Sequence, residues 1–316
     1  MWHSFCHYGG KTLANNTIKA QLRGLIRLTR WREFIPFVVP LTITGALLAA
    51  QPQGTLLDWR LIVVTFANIL AVAYAFMIND IEDAPDDARD PDRAARNPIT
   101  TGEIGVRIGY AACRIVAAAT LIMYALGGLE VFLIGAATLL LSHFYSWRPV
   151  RLKAWPVTDV VSHSLMLSGL LLLAGFFIYS KQPGIVWLVA AGVTFISVYG
   201  QLYNQLRDYE MDKAAGLHNT AILLGEANAR RAMYLAVGLG VLCMVAAVIR
   251  MVFPLWLGLA LLVSIAISML FRPKTDMRGT NAVDLSGAAQ VQSIITVNLT
   301  VGIWLAQVVV AQLFFA

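Results

Sequence analysis

Apolar residues along this chain fall in long unbroken runs rather than in strand-like alternation or one-sided helical stripes. The first thirty residues are polar and basic, and the first apolar run begins near Phe34. A membrane crossing needs about 20 apolar residues, and on that rule the chain holds nine candidates, at roughly 34–50, 60–80, 105–127, 130–146, 157–179, 185–206, 230–250, 253–271 and 291–315. The links between several of them are short and carry turn formers: Gln51-Pro52-Gln53-Gly54, Gly127-Gly128, Gln182-Pro183-Gly184 and Phe253-Pro254. Helices joined so closely must be antiparallel neighbours. The pattern predicts an all-α integral membrane protein of nine transmembrane helices. Residues 1–33 form a polar N-terminal segment, and 34–316 form a single domain.

Composition supports this. Hydrophobic residues make up 58% of the 316 and charged residues 13%, where a soluble domain carries about 25% charged residues. A net charge of +6 raises nucleic acid as a partner. The basic residues instead flank the apolar runs, and no nucleic-acid-binding signature accompanies them, so nucleic acid is excluded. Cys6, Cys113 and Cys243 are isolated, which gives neither a disulfide framework nor a zinc site. His143 and His163 read as polar residues near helix ends rather than metal ligands. No cleavable signal precedes the first run. The sequon Asn298-Leu299-Thr300 lies within an apolar run and is discarded.

With nine spans, 20 of the 24 basic residues fall on the side of the N-terminus, three on the other (Arg60, Lys181 and Arg250), and Arg114 inside a span. The positive-inside rule then places the N-terminus in the cytosol and the C-terminus outside. The expected location is a membrane, the cell membrane in a bacterium or archaeon.

Most of the acid gathers on the same inner side. After the second run the chain reads NDIEDAPDDARD, with Asn79, Asp80, Asp83, Asp86, Asp87 and Asp90. After the sixth it reads NQLRDYEMDKAAG, with Asn204, Asp208, Glu210 and Asp212. Asn79, Asp83 and Asp87 stand at i, i+4 and i+8, and so do Asn204, Asp208 and Asp212. Each step of four turns only about 40° past a full circle, so each trio lines one face at a helix end. Pro85 is expected to break the first helix, which would leave Asp86 and Asp87 on a loop. The matched spacing at equivalent span ends reads as a distant internal duplication.

Like charges crowded at a membrane rim repel each other and are costly. Hard oxygen ligands in number suit magnesium, which binds one or two carboxylates together with substrate phosphates. Two facing clusters would hold ions around a diphosphate and neutralise it as it leaves. The bland alternative is a solvated acidic loop without metal, and two matched copies on one side argue against it. Arg93 and Arg96 follow the first motif, and Arg207 and Lys213 lie within the second. They are the candidate clamp on such a diphosphate.

These residues resemble the UbiA superfamily of intramembrane prenyltransferases. The first family motif, N-D-x-x-D-x-x-x-D, is matched by Asn79, Asp80, Asp83 and Asp87, and the second, D-x-x-x-D, by Asp208 and Asp212. LTRWREF, NPITTGEI, YSWRPVRLK and AGLHNTAILLG are further family-like pieces in the expected order, most similar to the branch of chlorophyll and digeranylgeranylglyceryl phosphate synthases. The resemblance implies nine helices around a central cavity, magnesium, a prenyl diphosphate donor and an aromatic or lipid-like hydrophobic acceptor. It implies magnesium held by Asn79, Asp80, Asp83, Asp87, Asp208 and Asp212. Lys153, Arg93, Arg96 and Arg207 add positive charge, and Tyr145 stands where its ring would stabilise an allylic cation. Asp159 either orients an acceptor or favours a helix N-terminus. The chain departs from the family at Asn97-Pro98, where Arg-Pro is common, with Arg96 one position earlier as a substitute. It departs again at His218-Asn219-Thr220, where many members have a basic residue before the threonine or serine.

Two other outcomes stay open on these residues. The same metal site serves a membrane terpene cyclase, in which the substrate's own alkene attacks the cation. A transporter with acidic ion sites is the third reading, although both motifs close spans of the same direction at the rim rather than at mid-membrane.

Overall fold

The computed structural model describes residues 18–50, 57–184, 186–214, 216–270 and 274–315. The turn-forming segment 51–54 lies outside them. Fourteen α-helices follow in order: α1 Ile18–Thr29, α2 Trp31–Ala50, α3 Trp59–Asp87, α4 Pro91–Arg96, α5 Val106–Gly127, α6 Leu129–Ser146, α7 Thr158–Ser164, α8 Leu170–Phe176, α9 Val186–Arg207, α10 Tyr209–Ala214, α11 Thr220–Leu224, α12 Glu226–Ile249, α13 Leu255–Leu270 and α14 Leu285–Phe315. A π-helical turn, Leu165–Gly169, joins α7 to α8, so that the three form one span. The described residues contain no strand, only an isolated bridge between Thr275 and Asn281.

Every apolar run of the sequence is a helix. Among the described residues, eight helical segments are long and apolar enough to cross a membrane. The ninth, α13, is apolar but has only 16 residues, where a crossing needs about 20. The bundle is apolar outside as well as inside. Ile115, Ile122, Leu133, Leu242, Leu259 and Leu299 are all exposed, and an apolar surface that extensive is stable only against lipid.

Polar and small residues hold the interior. Asn68, fully buried, donates to the Thr42 hydroxyl at 2.7 Å and the Leu171 carbonyl at 3.0 Å, and its oxygen accepts from Tyr124 at 2.7 Å. One amide thus ties α2, α3, α5 and α8 where no water can compete. Gly45 and Gly175 let α2 and α8 touch backbone to backbone. A Cβ on Gly45 would stand 2.0 Å from the Leu172 carbonyl oxygen, and one on Gly175 would stand 2.1 Å from that of Thr42.

Two local expectations change. The helix does not break at Pro85: α3 runs through it to Asp87. Proline removes only the amide bond to Ile81, and α3 ends two residues later, so little of the ladder is lost. Asp86 and Asp87 are therefore helical. Within the polar N-terminal segment, α1 packs onto the loop before α5. Leu28 is fully buried, Gly24 lies against Ile104, and Arg27 pairs with Glu103.

A candidate active site at the acidic end of the bundle

α3 and α9 end at the same pole of the bundle, and the polar loops of that pole close over their carboxylates. Asn79, Asp83 and Asp87 lie on one face of α3, as their spacing predicts. Lys153, on a 3-10 turn at Leu152–Ala154, donates to Asn79 Oδ1 at 2.8 Å and to Asp83 Oδ2 at 2.5 Å. Arg151 donates to Asp83 at 3.2 Å and to Asp86 at 3.0 Å, and Arg148 reaches Asp86 at 3.1 Å. The loop between α6 and α7 thus spends three cations on the first motif. Arg151 adopts φ 45, a left-handed conformation that a side chain tolerates only when its surroundings hold it.

Asp80, seven residues before Asp87, lies near the same face of α3 and within electrostatic reach of Asp87 and Asp83. It is buried, and its carboxylate meets Arg30 at 3.4 Å. Arg30 itself sits at the α1–α2 junction with φ 51, over the Phe76 ring. Asn97 is buried in the loop between α4 and α5. It donates to the Asp80 carbonyl at 2.7 Å and to Asp87 Oδ2 at 2.9 Å. The departure from Arg-Pro therefore puts a neutral amide on Asp87 rather than a charge. Arg96 beside it is exposed and donates to its own helix, to the Asp92 carbonyl at 3.1 Å.

In the second motif the backbone bonds Asp208 N to Asn204 O and Asp212 N to Asp208 O carry the helical spacing across the α9–α10 junction. Asn204 is half-buried at the end of α9. Arg207 grips Asp208 with two nitrogens, at 3.1 and 3.3 Å, and reaches Asp276 at 3.1 Å. Hydrogen bonds from Thr280 and Arg207 hold the Asp276 carboxyl below its ordinary range despite its burial. Arg278, on the turn that Asp276 closes, lies within electrostatic reach of Arg207, Asp208 and Arg30. Asp212 accepts from Asn219 at 2.9 Å. Burial, and next the charge of Asp208, push its carboxyl above the ordinary range, while Arg93 and Asn219 oppose this. Lys213 stays on its own short helix, over the Tyr209 ring.

The two motifs share one field. Arg93 lies within electrostatic reach of both Asp87 and Asp212. Its direct contacts are with Asp90, whose side chain caps α4. Tyr145, next to the Ser146 that donates to Asn79, has its ring 5.9 Å from that of His163, and its hydroxyl accepts from Gln201 at 3.4 Å. Tyr199 and Tyr203 are taken up by packing: their hydroxyls meet Ser286 and the Val283 amide.

The site is thus wider than the sequence reading. Arg30, Asn97, Arg148, Arg151, Asp276 and Arg278 join it; the family-like pieces LTRWREF, NPITTGEI and YSWRPVRLK contain the first four, and nothing in the sequence marked Asp276 or Arg278. Among the described residues, no three Asp, Glu, His or Cys side chains close on one point. That is compatible with magnesium, which keeps several waters, prefers substrate phosphates to an all-protein cage, and needs only one or two carboxylates from each side. The donor set is all oxygen, as a hard cation requires.

Comparison with known proteins agrees with this geometry. Residues 38–286 match the UbiA prenyltransferase family. A lycopene elongase/hydratase of Haloarcula japonica is 29% identical over 224 residues, covering 65% of this chain and 68% of that protein. The fold is that of a UbiA homologue from Archaeoglobus fulgidus solved with GPP and Mg2+, with TM-score 0.69 and 23% identity over 90% of this chain and 99% of that one. It is also that of a digeranylgeranylglyceryl phosphate synthase structure, with TM-score 0.63 and 19% identity over 92% and 98%.

Proposed function

We propose, from the premise that the chain belongs to the UbiA prenyltransferase family, that it transfers the prenyl group of an allylic prenyl diphosphate to a hydrophobic acceptor within the bilayer. The observation that carries this reading is the placement of two acidic motifs at one pole of the bundle, with Arg93 in reach of both. The relatives solved with GPP or DMAPP and Mg2+ support the choice of donor and ion. The relative named a lycopene elongase/hydratase supports an acceptor as apolar as the lipid around it.

In this reading Asp80, Asp83, Asp87, Asp208 and Asp212, with Asn79, would hold magnesium. The ion, when bound, neutralises the diphosphate as its bond to carbon breaks. The protein's own cations do the rest. Lys153 sits between Asn79 and Asp83, and on donor binding its ammonium is free to turn to a diphosphate oxygen. Arg207 does the same beside Asp208, with Arg93 between the motifs. Tyr145 adjoins Ser146, which donates to Asn79, and its π-face would there stabilise an allylic cation. The strong excess of basic residues around this pole supports a cytosolic side for it and for the N-terminus.

The two departures from the family pattern do not favour cyclisation. Asn97 and Asn219 each donate to one motif carboxylate, Asp87 and Asp212, an arrangement that serves prenyl transfer as well as it would cyclisation. A panel of allylic diphosphates of increasing chain length, offered with lipid extracts to the purified protein and read by mass spectrometry, tests the proposal. Prenylated acceptor and released diphosphate are expected. Cyclised or merely hydrolysed donor as the main product, whatever the acceptor, would contradict it.

A further inference from the structure

Asp159 opens α7 and is 1% exposed. Its carboxylate accepts four hydrogen bonds: from the Val160 amide at 2.8 Å, the Thr220 amide at 2.8 Å, Gln205 Nε2 at 2.7 Å and the Thr220 hydroxyl. Gln205 returns its oxygen to the Ala221 amide at 3.0 Å. Three elements, α7, α9 and α11, therefore meet on one carboxylate. A favourable charge at a helix N-terminus needs no such burial, and a buried carboxylate is costly unless its bonds are complete.

What leaves this node on either side gives it a role. The Thr220 hydroxyl accepts from the Val157 amide at 2.7 Å. Val157 has φ 69, a conformation that a β-branched residue keeps only where the surroundings impose it. Val157 ends the loop that delivers Arg151 and Lys153 to Asp83. On the other side Asn219, the neighbour of Thr220, caps α11 and donates to Asp212. One bond holds the loop over the first motif, and the next residue holds the second motif.

We propose that Asp159 is a positioning residue: through Thr220 it sets the spacing between the two acidic motifs, and with it their joint affinity for a divalent cation and diphosphate. This rests on the metal–diphosphate reading given above. Asp159→Asn keeps the shape but turns an amide NH2 toward groups that are already donors. Thr220→Val removes the hydroxyl that links Asp159 to Val157, and Thr220→Ser retains it.

The test is direct binding of Mn2+ in the presence of inorganic diphosphate, followed by electron paramagnetic resonance on purified protein, with the thermal midpoint of each variant measured in parallel. Loss of a group that orients metal ligands weakens binding by about 10–100-fold, and this is expected for Asp159→Asn and Thr220→Val. The double variant should be no weaker than the worse single one, because both break the same link. Thr220→Ser should recover most of the affinity. Wild-type affinity in both single variants, or a lowered thermal midpoint with affinity unchanged, would overturn the proposal. Should Asp159→Asn fail to fold, equal affinity of Thr220→Val and Thr220→Ser would overturn it alone. A wild-type protein that binds no Mn2+ with diphosphate would instead refute the reading of the site itself.

Discussion

At the scale of single residues, the carboxylates of each motif share a helix face, and the cationic partners of Asp80 and Asp83 come from far along the chain. Spacing on a helix reveals that Asn79, Asp83 and Asp87 share a face, because those contacts are local. Arg30 meets Asp80 across 50 residues of chain, and Lys153 meets Asp83 across 70. Nothing near a basic residue in a charged loop says which carboxylate it will meet. The clamp candidates accordingly divide. Lys153 and Arg207 contact motif carboxylates, while Arg96 is turned to its own helix and Lys213 to Tyr209. The expected effects follow that division. A charge-assisted hydrogen bond contributes about 1.5–3 kcal/mol, so Lys153→Ala should lower kcat/KM for the diphosphate by roughly tenfold to a hundredfold. Arg96→Ala should stay within about threefold, as surface substitutions usually do. Steady-state kinetics at saturating magnesium on the two variants decide between them. A larger loss for Arg96→Ala would return that residue to the place of the family arginine.

At the scale of elements, runs of about 20 apolar residues located the spans, since lipid demands that length from every crossing. They did not show how the spans pack. Gly45 and Gly175 are two of 24 glycines, and nothing in their apolar neighbourhoods distinguishes them from those that face open space. In the fold their missing side chains allow α2 and α8 to meet at backbone distance. Pro85 misled for a related reason: its cost depends on how far the helix continues beyond it, which tertiary contacts decide. Because the atoms facing Gly175 are backbone, they cannot turn aside. Gly175→Ala should therefore cost about 1–3 kcal/mol, as overpacking does. The check is a thermal melt in detergent, which should show a clearly lower midpoint while turnover per folded molecule is retained at low temperature. An unchanged midpoint would mean that the two helices separate freely.

At the scale of the whole molecule, the sequence carried the class of the protein because composition, span length and charge asymmetry all answer to the bilayer. It carried the chemistry because two matched motifs at one pole have few uses. What it did not carry is the way the loops of that pole interlock. The α6–α7 loop meets the first motif, the 276–280 turn meets the second through Arg207, and the Asp159–Thr220 node lies between them. The central claim is that both motifs act together on one diphosphate with magnesium. Its most direct test is magnesium-dependent release of diphosphate from an allylic donor by purified wild-type protein, Asp83→Ala, Asp212→Ala and the double variant. Each single variant should lose at least about a hundredfold, near 2.7 kcal/mol of transition-state stabilisation, and the double variant little more than either, because groups that act as a unit are not additive. Release that survives chelation of the metal, or that persists at wild-type rate in both single variants, would contradict the account.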